Sequence, residues 1–158
     1  MLAAALALAS CGGQQNEDKN DGTGTETGPD TEVKANVNYT VNGGSDMTVL
    51  FAIEATYTEA NGESVTETVE ALPWNKSLTE VTAPFTANLS VRLTPLTDYP
   101  EQEVFACGLG TNISYTSSDN IGSVGDISAP HMNVSYDRIA DYQESASARD
   151  YSRTIEVK

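Results

Sequence analysis

From Val33 onward apolar side chains recur at every second position, and that period of two constrains the fold more than any other feature of the chain. Val33, Ala35, Val37, Tyr39 and Val41 alternate with Lys34, Asn36, Asn38 and Thr40, the pattern of a strand with one face on a core and the other in water. Phe85, Ala87, Leu89, Val91 and Leu93 repeat it. Met47, Val49, Phe51, Ile53, Ala55 and Tyr57 predict a long second strand after a turn at Asn42–Asp46. Val104–Thr116 reads as one strand, with Phe105, Cys107, Leu109, Ile113 and Tyr115 on one face. Gly108 and Gly110 fall on its other face, where they permit close approach or a bulge. A short strand is expected near Leu78–Thr82, and Tyr151, Arg153, Ile155 and Val157 make the last.

The second hairpin has a register that can be worked out beforehand. A two-residue Asn61-Gly62 loop would set Tyr57 opposite Thr66 and put the apolar faces out of phase. A three-residue loop, Ala60–Gly62 with Gly62 left-handed, pairs Tyr57 with Val65, Ile53 with Val69 and Phe51 with Ala71. The one misfit is Glu67 opposite Ala55, expected near a sheet margin. Pro73 cannot donate to a ladder, so Leu72-Pro73-Trp74 is expected to end the third strand and leave the Trp74 indole to cap Phe51, Leu72 and the Phe85–Leu93 face.

Seven strands at this spacing, with abundant Thr, Val, Ser, Asn and Gly, predict an all-β, immunoglobulin-like two-sheet β-sandwich over residues 33–158. Residues 117–150 are less regular, with Ile139, Tyr142 and Ala146 spaced for one face of a short helix.

Residues 1–10 read MLAAALALAS, an apolar segment too short to span a bilayer and suited to a secretory leader. The charged segment that normally precedes such a leader is not in the sequence, which points to a start further upstream. The step Leu8-Ala9-Ser10-Cys11 resembles the lipobox of bacterial lipoproteins. That resemblance implies cleavage before Cys11 and lipid attachment to its thiol; the competing reading is an ordinary signal with a chance cysteine. Each buried methylene adds about 0.8 kcal/mol of membrane affinity, so two or three acyl chains would anchor stably.

Residues 11–32 follow as a lipidated, acidic tether. Gly12–Glu32 contains no aliphatic or aromatic side chain, so nothing in it offsets the entropy of ordering, and disorder is expected. Such a coil spans about 25 Å root-mean-square. Gln14–Asp18 loosely resembles the export signals of surface lipoproteins of Bacteroidetes; a plain solvated spacer is the competing reading.

A net charge of −15 argues against nucleic acid as a partner, because phosphates would be repelled. His131 is the only histidine, so neither a histidine-based triad nor a two-histidine zinc site is expected. Cys107 alternates with Phe105 and Leu109 and should be buried. Asp119, Asp126, Asp137 and Asp141 crowd one segment, without the ligand spacing of a known calcium loop. Trp74, with Tyr99 or Tyr142, is the candidate sugar-stacking platform, against a packing role for the indole. No catalytic residue, metal or cofactor is expected.

Val37-Asn38-Tyr39-Thr40-Val41-Asn42-Gly43, Thr56-Tyr57 and Leu72-Pro73-Trp74 together resemble the MmpS-type membrane proteins. Phe105-Ala106-Cys107-Gly108-Leu109 is similar to that family's cysteine-bearing strand. The resemblance runs over roughly residues 37–110 and implies a small β-sandwich on a membrane anchor, in some members assisting large lipid-exporting pumps. Here the expected anchor is lipid rather than a helix, and a second strand cysteine is absent; related lipoproteins of gut Bacteroidetes look closer. The expectation is a non-enzymatic lipoprotein of the cell envelope, held in a bilayer, on the outer membrane facing periplasm or cell surface, through acylated Cys11. Its partner would be an envelope protein or a glycan, with glycan capture or a role beside a lipid-transport pump as the alternatives.

Overall fold

The computed structural model describes residues 32–126, 128 and 130–158. The leader at 1–10, the Cys11 attachment point and all of the tether but Glu32 lie outside the described residues.

Two four-stranded antiparallel sheets pack face to face around one apolar core, so the chain is an all-β sandwich. One sheet holds β4 (Trp74–Thr82), β1 (Lys34–Gly43), β7 (Leu109–Ser117) and β8 (Ile121–Gly125), in that order. The other holds β10 (Arg153–Val157), β5 (Phe85–Pro95), β2 (Phe51–Thr58) and β3 (Ser64–Thr68). A two-stranded ribbon of β6 (Val104–Cys107) and β9 (Met132–Ser135) adds to these. There are ten strands among the described residues rather than seven. The alternation does what the sequence requires of it: Ala35, Val37, Tyr39 and Val41 from one sheet meet Ile53, Ala55, Tyr57, Ala87 and Leu89 from the other.

The hairpin between β2 and β3 has the expected register, with Tyr57 opposite Val65 and Ala55 opposite Glu67. Gly62 sits at φ 84°, closing the Ala60–Gly62 loop, and the Val69 amide donates to the Ile53 carbonyl at 2.8 Å.

Four expectations need correction. Met47–Leu50 is not strand but a single helical turn, α1, and β2 begins only at Phe51. Met47 and Leu50, three residues apart, are both fully buried, so the turn satisfies the core as well as alternation would. Val104–Thr116 is two strands, because Gly108 at φ 116° breaks the run and sends β6 into the ribbon. A β-carbon on Gly108 would overlap the Pro130 carbonyl. Leu72-Pro73-Trp74 does not end a strand: β3 stops at Thr68, and Trp74 opens β4, a full nine residues opposite Val41. The indole therefore does not cap Phe51 and the Phe85–Leu93 face; its ring contact is with Tyr57. Finally, the stretch expected to be irregular carries β8, β9, a 3₁₀ turn (Tyr136–Arg138) and helix α2 (Ile139–Ser147).

Helix α2 buries Ile139, Tyr142 and Ala146, as its spacing predicts, and Gln143 besides. The Gln143 side-chain amide donates to the Leu50 carbonyl at 2.8 Å and the Leu96 carbonyl at 2.9 Å. Both amide hydrogens are thereby used, and the helix is fixed to the end of the sandwich. No helix among the described residues is long and apolar enough to cross a membrane.

Candidate functional site

Three places on the sandwich carry unusual chemistry, and only one of them is a groove. The first is the seam between the edge strands β3 and β4. Glu67 and Lys76, on inward-facing positions of the two edges, meet at 2.7 Å. The Tyr57 hydroxyl lies 2.7 Å from Glu67 and 2.9 Å from Glu59, and the Lys76 ammonium sits 5.0 Å from the Tyr57 ring centroid. Trp74 packs against the same ring, with centroids 5.8 Å apart. The Lys76 hydrogen bond, then that of Tyr57, holds the Glu67 carboxyl below the usual range. Lys76 is pushed up, first by its bond to Glu67 and then by Tyr57, while burial pushes the Tyr57 phenol up to about 12. Each group is thus held in its ordinary neutral-pH state, which suits a closure rather than a proton-transfer site.

The second place is the outer face of the sheet that contains β1. Asn38, Thr40, Asn75, Ser77, Asn112, Ser114 and Ser123 stand side by side on it. Several are already bonded to one another: Ser77 donates to Asn38 at 2.6 Å, Thr40 to Asn75 at 3.1 Å and Ser123 to Asn112 at 2.9 Å. This patch carries no charge, on a chain with 23 acidic residues.

The third is an open groove of about 580 Å³ between β9 and α2. Met132, Val134 and Tyr142 supply its apolar part, and Arg138, Asp141, Ser145 and Arg149 its polar rim. Asn133 and Ser135 present the strand's edge to it. The backbone at that edge follows from the register. The Tyr136 amide donates to the Glu103 carbonyl at 3.2 Å, so Val134 and Met132, at every second position, also face β6. Ala106, opposite Asn133, turns its own groups away from β9: its N–H donates to the Asp46 carboxylate at 2.6 Å and its carbonyl accepts from the Asp46 N–H at 3.2 Å. The N–H and C=O of Asn133 and the N–H of Ser135 therefore point outward, unpaired among the described residues, while the Ser135 carbonyl caps the 3₁₀ turn that follows. Beside the groove, Tyr136 stacks on Phe105 at 6.4 Å and meets Tyr99 edge-on at 6.1 Å.

The residues singled out in the sequence are scattered. Cys11 lies outside the described residues. Trp74 is on Tyr57, Tyr99 on Phe105 and Tyr136. Tyr142 is only 8 % exposed, its hydroxyl accepting the Gly108 N–H at 3.0 Å and donating to the Met47 sulfur at 3.3 Å. The expected Trp74–Tyr142 platform is therefore not assembled. Cys107 is buried and free, its thiol pushed up to about 11 by burial and by Asp46. His131 is exposed just before β9. Asp126 accepts the Ser128 amide, Asp137 the Ser135 hydroxyl and Asp141 the Arg138 guanidinium. No three acidic, histidine or cysteine side chains gather as a metal site among the described residues. Asn133, Ser135 and Arg149 carried no sequence signal, since a free strand edge is a property of pairing.

No family profile matches the chain, and no curated protein or solved structure is significantly similar to it.

Proposed function

We propose that the chain is a lipid-anchored protein of the bacterial cell envelope whose sandwich is a non-catalytic binding or assembly module. The anchoring half rests on Leu8-Ala9-Ser10-Cys11 at the end of an apolar leader, followed by a stretch with no residue able to form a core. The binding half rests on one observation, the open groove along the unpaired edge of β9. Outward strand groups beside an apolar cleft are what adhesion and assembly modules use to take hold of a partner. Metabolic labelling with a radioactive fatty acid, behind an intact leader, tests the anchor. Label is expected in the wild type and absent from Cys11→Ala; equal labelling of the two would sink the reading.

Glycan capture is the second reading, and the uncharged amide and hydroxyl face favours it, because neutral sugars are bound by such groups without the desolvation of charge. A role beside a lipid-transport pump rests on the sequence resemblance alone.

A further inference from the structure

We propose that the outer edge of β9 takes up an extended polypeptide segment bearing acidic side chains, which joins the β6–β9 ribbon as a third strand. This deepens the binding-module reading and rests on it. Three observations converge.

The first is the backbone. Asn133 offers a donor and an acceptor, and Ser135 a second donor, at the two-residue spacing that an added strand requires. Edge strands are commonly guarded by proline, a bulge or an inward charge, and the edges β3 and β4 carry such charges in Glu67 and Lys76. The sequence of β9, MNVS, contains none of these guards.

The second is shape. The groove runs between that edge and α2, with Met132 and Val134 in its wall, and has room for an occupant's alternate side chains. The third is charge. Two of the chain's four arginines, Arg138 and Arg149, line this groove. Arg149 has no ion pair among the described residues, and Arg138 holds Asp141 only at 3.3 Å in solvent. The long-range field of a −15 chain is screened beyond roughly 10 Å in salt, so at contact distance the guanidinium groups select a carboxylate.

Ser135→Pro is the diagnostic variant. Ser135 sits at φ −72°, close to the angle proline imposes, and its N–H serves no ladder bond. Proline there removes one outward donor and leaves β6–β9 pairing intact. The full chain, labelled with nitrogen-15, is titrated with an end-capped hexapeptide alternating valine and glutamate, and with its lysine counterpart. Saturable shifts are expected at the Asn133 and Ser135 amides with the glutamate peptide, and about tenfold weaker binding with the lysine peptide. Ser135→Pro should abolish the binding with an unchanged urea midpoint, and Arg149→Gln should weaken it about fivefold. Absence of saturable shifts at millimolar peptide, equal binding of the two peptides, or binding indifferent to Arg149→Gln overturns the proposal. So does self-association without peptide that Ser135→Pro abolishes, which would make a second copy the occupant. Failed peptide binding with intact labelling of Cys11 removes the occupant and leaves the anchor; failed labelling does the reverse.

Discussion

Glu67 faces the inside of the sandwich because β3 lies at its margin, where a long side chain reaches solvent and a partner at once. Its partners are the Tyr57 hydroxyl and the Lys76 ammonium. The side chains of Glu67 and Lys76 are 36 % and 32 % exposed, so the pair is partly screened and contributes about 1 kcal/mol at most. Trp74 contributes more at the same seam. It is half-buried, packs on Tyr57 and covers the core between the two edges. Truncating a fully buried tryptophan costs roughly 3–5 kcal/mol; with part of its surface still wet, Trp74→Ala should cost less, about 2 kcal/mol. The expected result is a lower urea midpoint with an unchanged slope and unaltered retardation in gels containing neutral polysaccharide. Near wild-type stability together with lost retardation would move the indole from packing to sugar stacking.

Strands β3 and β4 show how an element is kept from pairing with the wrong neighbour. Each is an edge, and each turns one charge inward, Glu67 and Lys76. In a stacked copy these charges would be buried without their partners, which costs far more than the pair gains in place. Replacing them together, Glu67→Val with Lys76→Val, should therefore leave monomer stability within about 1 kcal/mol of wild type. The same double variant should aggregate at lower concentration, read by static light scattering; equal scattering would show that the charges do not guard the edges. The sequence made β1, β2 beyond Phe51 and β5 legible, because each has one buried and one wet face and period two reports that directly. It misread Met47–Leu50, since apolar residues at 47 and 50 suit a helical turn while those at 47, 49 and 51 suit a strand, and only the Asp46 bonds to Ala106 decide between them. It missed the break at Gly108, whose positive φ is set by the approach of Pro130, far away in sequence. It missed β8 and β9 as well, short strands whose residues are mostly exposed or half-buried and so leave no alternation to read.

At the scale of the molecule, charge outweighs pairing. The chain carries 23 acidic and 8 basic residues. The ion pairs among its described residues are Lys34–Glu32, Lys76 with Glu59 and Glu67, Arg92–Glu54 and Arg138–Asp141, and in every one the side chains are at least partly exposed. Each such pair contributes about 0–1 kcal/mol and weakens as salt is added. Repulsion among the excess carboxylates works the other way: it opposes the compact state and is relieved by the same salt. Raising ionic strength from roughly 0.01 M to roughly 0.1 M shortens the screening length from roughly 30 Å to roughly 10 Å. That removes repulsion across the width of a domain, while contacts of a few ångströms keep most of their attraction. The unlipidated Cys11→Ala chain should therefore become more stable over that range, by on the order of 1 kcal/mol, with its urea midpoint moving up. A midpoint that falls would mean that the seam and surface pairs, small as each is, outweigh the net charge of the whole molecule.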